Sequence, residues 1–256
     1  MFVLLLISPL HGQVRLAKLI LEPRQVYELK GADILVVDTL IMKDSSKIIL
    51  NRLKADNFIH AKAAIFYSGA TIDGKGVHGI AGRNGRSGFT PSSPCTDGGE
   101  GRMGTEGTNG GKGTNLSLYL SDIVLKGRLI IDVSGGDAGD GGNGGGGGDG
   151  GPGTRVCPGG NGGNGAPGAN GGNGGNSGSV TFVSSRIPEL RSMLGETIII
   201  KNYGGNQGLG GDGGVWGYSA LSPVGNNKMD GKPGKKGPKG KDGIAGNQGS
   251  INFQDH

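Results

Sequence analysis

The stretch GGDAGDGGNGGGGGDGG (135–151), followed after a short interruption by GGNGGNGAPGANGGNGGN (159–176), decides how the rest of the chain is read. Glycine falls at every third position through both, and often at two positions of three. The same period runs through Gly76–Gly88, Gly98–Gly113, Gly205–Gly217 and Gly231–Gly249. A flexible linker has no reason to keep phase. Three residues per turn is the pitch of polyproline II, which has no internal hydrogen bonds. Such segments can be ordered only if their N–H and C=O groups pair with neighbours. Glycine on one side lets another backbone approach closely enough to do so. Doublets in 135–178 provide two such sides, which puts that pair in the middle and the singly spaced pairs on its flanks.

Each pair of runs is flanked by apolar, β-branched stretches. AIFYSG, LIIDVSG and TIIIKNYG lead in, and TNLSLYL, GSVTFV and GSINF lead out. The unit is strand, glycine run, tip loop, glycine run, strand, three times over. Upstream, VRLAKLIL (14–21), ILVVDTLIM (34–42), KIILN (47–51), NFIHA (57–61) and AAIFY (63–67) alternate as strands do. RIPELRSMLG (186–195), with Pro188 near its start and Gly195 at its stop, reads as one short helix. The expected fold is all-β with a non-regular part: a β-solenoid-like base carrying six polyglycine-II helices in three hairpin repeats. The expected divisions are a signal peptide over 1–12, the base over 13–75, and a glycine-rich bundle over 76–256 with repeats at 76–120, 129–183 and 197–253.

Composition supports that frame. Of 256 residues 59 are glycine, 11 proline and 2 cysteine, and apolar residues make up 33%. An ordinary packed domain has about 45–50% apolar residues, and collagen has glycine near one-third with ~15–20% proline. Both are excluded. The apolar run Phe2–Leu10, ahead of Gly12 and Gln13, reads as a secretory leader, the alternative being a buried first strand. Secretion or display at the cell surface follows from the leader reading.

Two stretches carry a family resemblance. GGNGGNSGSVTFVSS (171–185) and LIIDVSGGDAGDGGNG (129–144) resemble the glycine-rich N-terminal domain of the Obg GTPases. The loops between paired glycine runs are similar to those of T-even-type phage tail-fibre tip adhesins. The first resemblance implies six glycine helices above a small β-base; the second implies loops that bind a receptor. GTPase activity does not carry over. GATIDGKG (69–76) has Gly76 where a phosphate loop needs Ser or Thr, and it lies between β-stretches.

Chemistry-bearing motifs are few, and neither a cofactor nor a metal is expected. A calcium nonapeptide is approached at Gly144–Asp149, but Gly151 stands where its bulky apolar residue belongs. His11, His60, His78 and His256 lack ligand spacing. Asp137, Asp140, Asp149 and Asp212 read as solvated positions. Asp73 has no second carboxylate to suit glycoside hydrolysis, so no enzyme is expected.

Cys95 and Cys157 occupy equivalent tip positions in adjacent units, within disulfide reach. The tips FTPSSPCTD (89–97), PGTRVCP (152–158) and YSALSPVGNNKMD (218–230) collect the residues expected to bind: Phe89, Arg155, Trp216, Tyr218 and Met229. A second candidate is the basic edge Lys232, Lys235, Lys236, Lys239 and Lys241, within a stretch (228–243) of net charge +4. The expected function is an exported structural or adhesive protein presenting rigid tips. The alternatives are an ice-binding protein and a solenoid-type carbohydrate-active enzyme. Expected partners are a surface glycan, lipopolysaccharide or an outer-surface protein, with self-association through the β-base and no specific nucleic acid.

Overall fold

The computed structural model describes residues 12–222 and 230–255. Among the described residues eleven strands form two sheets, and the chain alternates between them. One sheet holds β1 (Gln13–Leu21), β3 (Ile34–Met42), β5 (Asp56–Phe66), β7 (Asn115–Leu125), β9 (Val180–Val183) and β11 (Ile251–Gln254), side by side in that order. The other holds β2 (Val26–Glu28), β4 (Lys47–Ile49), β6 (Ala70–Asp73), β8 (Leu129–Asp132) and β10 (Ile198–Lys201). Every pairing is parallel. The helix α1 (Ile187–Met193) lies between β9 and β10, with Pro188 in its first turn and Gly195 just beyond it at φ 83°.

The apolar alternation places Leu35, Ile59 and Leu118 from the first sheet and Ile48, Ile72 and Ile131 from the second in one fully buried core. Burial changes parity within β3, from Leu35 and Val37 to Leu40 and Met42. The same change occurs in β5, from Ala61 to Ala64. Asp38 and Lys62 sit at these aligned corners and pair at 2.7 Å.

The fold expectation is corrected here. Among the described residues regular structure lies in two parallel sheets and one helix, and none of the glycine stretches forms a helix. A three-residue glycine period dictates which N–H groups can meet a neighbouring backbone. It does not by itself dictate an element, because such segments have no internal hydrogen bonds. The strands that flank the glycine stretches continue the sheets of the upstream strands. They interleave with the stretches along the chain: β7, β8, β9, β10 and β11 all follow the first stretch and share the sheets of β1–β6.

This topology positions the glycine segments. Three of them leave from β6, β8 and β10, which are neighbours in one sheet. Three return into β7, β9 and β11, which are neighbours in the other. Parallel strands are ~4.8 Å apart, so successive excursions start and finish at hydrogen-bonding distance from one another.

Candidate functional site

The glycine excursions comprise six segments: 76–88, 98–113, 135–151, 159–178, 204–217 and 231–249. Their N–H groups bond to neighbouring segments at every third residue. Gly79, Gly82 and Gly85 of the first donate to Asp137, Asp140 and Asn143 of the third at 2.7 Å. Gly141 and Gly144 of the third donate to Leu209 and Asp212 of the fifth, each at 2.8 Å. In the same manner the second donates to the fourth (Gly101 to Asn164, 2.9 Å) and the fourth to the sixth (Gly165 to Lys235, 2.8 Å). Bonds such as Gly142 to Thr105 (3.0 Å) and Ala169 to Gly142 (2.9 Å) join the two sets. The result is two layers, one of the first, third and fifth segments and one of the second, fourth and sixth. Residues 135–178 exchange bonds with all the other segments.

Side chains add a second lateral network. In the first layer Asp137, Asp140, Asn143 and Asp149 accept the N–H of Asn206, Leu209, Asp212 and Tyr218, always 69 residues on, at 2.7–2.8 Å. In the second layer Asn161, Asn164, Asn170, Asn173 and Asn176 accept the N–H of the residue 71 positions later at 2.8–2.9 Å. The gap in that column is Pro167, whose counterpart is Pro238. Proline has no N–H to donate, so an acceptor there would have no partner. Asp137, Asp140 and Asp149, read from the sequence as merely solvated, therefore tie adjacent segments together. Among the described residues Asp212 makes no such bond outward and ends its row.

At the far end of the segments a disulfide joins Cys95 to Cys157, with Cα atoms 6.1 Å apart. It links the first two tips, which also meet through the Cys95 N–H donating to the Pro152 carbonyl at 2.9 Å. The third tip touches the second, where Gly153 N–H donates to the Leu221 carbonyl at 3.2 Å. Phe89 (65% exposed) and Tyr218 (69%) lie on opposite sides of the third segment, because the first and fifth segments flank it. Tyr218 is fixed by its N–H to Asp149 Oδ1 and its carbonyl to Gly150 N–H. Trp216 is on the same segment as Tyr218, and Arg155 is exposed in the second tip. Phe89 and Trp216 are thus not brought together. Met229 lies outside the described residues, as does the expected leader apart from Gly12. Sequence reasoning passed over Val156 (90% exposed) and Leu221 (71%), which add apolar surface to the second and third tips. Their signal was an apolar residue in an otherwise polar turn.

The lysines divide. Lys232, Lys235 and Lys241 follow the asparagine column of the second layer, whereas Lys236 and Lys239 occupy the intervening positions of the same segment. Lys239 lies 3.8 Å from Asp242.

Asp73, the residue weighed for glycoside chemistry, is held by Lys47 and Arg52, each at 3.3 Å, and accepts the Lys75 N–H at 3.1 Å. The phosphate-loop-like stretch 69–76 contains β6 and leads into the first glycine segment rather than a helix. Among the described residues no group of three or more His, Cys, Asp or Glu side chains could hold a metal, and no helix is long and apolar enough to cross a membrane. Asp38 is paired with Lys62 across the first sheet. Its carboxyl is held below the ordinary value by the hydrogen bond and then the charge of Lys62.

No protein-family model matches the chain, and no curated protein matches it. A solved structure, the nine polyproline type II helical bundle springtail antifreeze protein from Granisotoma rainieri, aligns over 65% of this chain and 94% of its own. The identity is 22% and the TM-score 0.12, and a likeness that weak carries no argument about fold or function. The resemblances to the Obg domain and to phage tip adhesins gain no support from these comparisons.

Proposed function

We propose that this chain is an exported, non-enzymatic adhesive protein, in which cross-bonded glycine segments hold three tip loops away from the paired sheets. The observation that carries the reading is the covalent clamp between the first two tips, beside a third tip with exposed Tyr218 and Leu221. A disulfide belongs to an oxidising compartment, which supports export. Pre-ordered loops lose less conformational freedom on binding, and aromatic and arginine side chains contribute heavily to binding hot spots.

The test is attachment of the oxidised protein to lipopolysaccharide-coated and glycan-coated surfaces. Replacing Arg155 and Tyr218 by alanine should abolish attachment. Attachment that survives both changes, and is lost on lysine-to-glutamine changes over 232–241, would move the site to the basic segment. An ice-binding role fits the charged rows poorly, since carboxylates and lysines hold their own hydration. Thermal hysteresis in the purified protein would overturn the adhesive reading in its favour.

A further inference from the structure

The outer surface of the second layer carries three parallel columns of different chemistry. On one side the second segment presents Glu100 and Glu106, with Asp97 immediately before it in the same column. The fourth presents its asparagines in the middle, and the sixth presents Lys232, Lys235 and Lys241 on the other side. All of these side chains are exposed. Rows are fixed laterally. Asn161 donates its N–H to Asp97 and accepts from Lys232, and Asn164 and Asn170 donate Nδ2 to Glu100 and Glu106 while accepting from Lys235 and Lys241. Between the charged rows runs an uncharged one, Met103, Pro167 and Pro238.

Acid and lysine columns within one molecule are kept apart by the asparagine column. Among the described residues, none of Asp97, Glu100, Glu106, Lys232, Lys235 and Lys241 lies within ion-pair distance of an opposite charge. A two-fold axis lying in this surface and running along the segments changes that. It sets each acid opposite the lysine of the same row: Asp97 against Lys232, Glu100 against Lys235 and Glu106 against Lys241. The asparagines then face asparagines, and Met103 faces Pro238. Nearer the sheets Lys112 faces Asn247, so among the described residues of these columns no like charges are opposed. Such an arrangement is self-complementary and closed, as a two-fold contact must be.

We propose that this face binds the same face of a second copy of the chain, forming a parallel dimer whose tips emerge at one end. Apart from Asp97, the last residue of the first tip, the contact lies on the segments; it uses none of the tip residues proposed to bind and stands or falls separately from the adhesive reading.

The experiment is analytical ultracentrifugation of the oxidised, full chain. At low salt the protein should sediment as a dimer. It should dissociate near 1 M salt, where charges are screened beyond ~3 Å. One triple variant, Lys232→Glu, Lys235→Glu and Lys241→Glu, makes both outer columns acidic. A second, Asp97→Lys, Glu100→Lys and Glu106→Lys, makes both basic. Each should be monomeric with unchanged circular dichroism, and an equimolar mixture should restore the dimer. A monomeric natural chain at low salt overturns the proposal. So does a dimer that either triple variant leaves intact, which would place self-association at the open edges of the sheets. A mixture that stays monomeric overturns it as well, and rescue by mixing cannot come from variants that have failed to fold.

Discussion

Gly142 and Gly146 lie four residues apart in the third segment, yet adding one methyl group to each should have opposite outcomes. A Cβ on Gly142 would overlap the Arg83 carbonyl oxygen, stand 2.5 Å from its carbon and reach 3.1 Å from Asn84 N. These are backbone atoms and cannot rotate aside, so the first and third segments would have to part by about an ångström. Hydrogen bonds fade beyond ~3.2 Å. Four that join these two segments would lengthen past that: Gly79 to Asp137, Gly82 to Asp140 and Gly85 to Asn143, all 2.7 Å, and Asn143 N–H to Asn84 Oδ1, 2.9 Å. At about 1 kcal/mol net each, less the ~0.4–1 kcal/mol that alanine gains by restricting the unfolded chain, Gly142→Ala should cost about 3 kcal/mol. For a chain of this size that lowers Tm by roughly 6–12 °C. At Gly146 the nearest atoms are Val215 Cγ2 at 3.2 Å and Val215 O at 3.5 Å, followed by Ser87 Oγ at 3.7 Å. A small rotation of Val215 makes room, and Gly146→Ala should leave Tm within about 2 °C or raise it slightly. Thermal unfolding followed by circular dichroism, with the single tryptophan Trp216 as a second probe, measures both. Equal shifts for the two variants would refute the lateral packing argument.

Reduction of the Cys95–Cys157 bond opens a loop of sequence separation 62 and should lower stability by up to about 4 kcal/mol on the chain-entropy account. Two titratable thiols in the oxidised protein would refute the link. Asp140→Ala removes the acceptor of the Leu209 N–H and should cost about 0.5–1.5 kcal/mol, while Asp140→Asn, which keeps Oδ1, should be nearly neutral in the same melt. Because Lys62 depresses the Asp38 pKa, the pair's contribution is present above the unfolded carboxylate value and lost as pH falls through the folded one. Lys62→Ala should move the Asp38 carboxyl titration, followed by NMR, upward to the ordinary range; an unmoved titration would assign the shift to another cause.

Much of the chain's order of elements was legible by residue type alone. LIIDVSG holds β8, TIIIKNYG holds β10 and GSVTFV holds β9, because β-branched runs favour a half-buried pleated surface. Pro188 and Gly195 bracket α1 through a missing N–H at one end and a positive φ at the other. The cysteine spacing pointed to a tip disulfide, since equivalent positions in adjacent units lie side by side. Glycine phase identified the backbones that must approach others. The element type assigned to those glycine stretches was wrong, because a segment bonded only to its neighbours takes its structure from them. What only the tertiary structure decided is the alternation of strands between two parallel sheets. That alternation brings residues 59, 64, 69 or 71 positions apart into single rows. Tip loops and returning strands of unequal length hide those offsets in the linear chain. The acid, asparagine and lysine columns therefore became visible only after the sheets had set the lateral register.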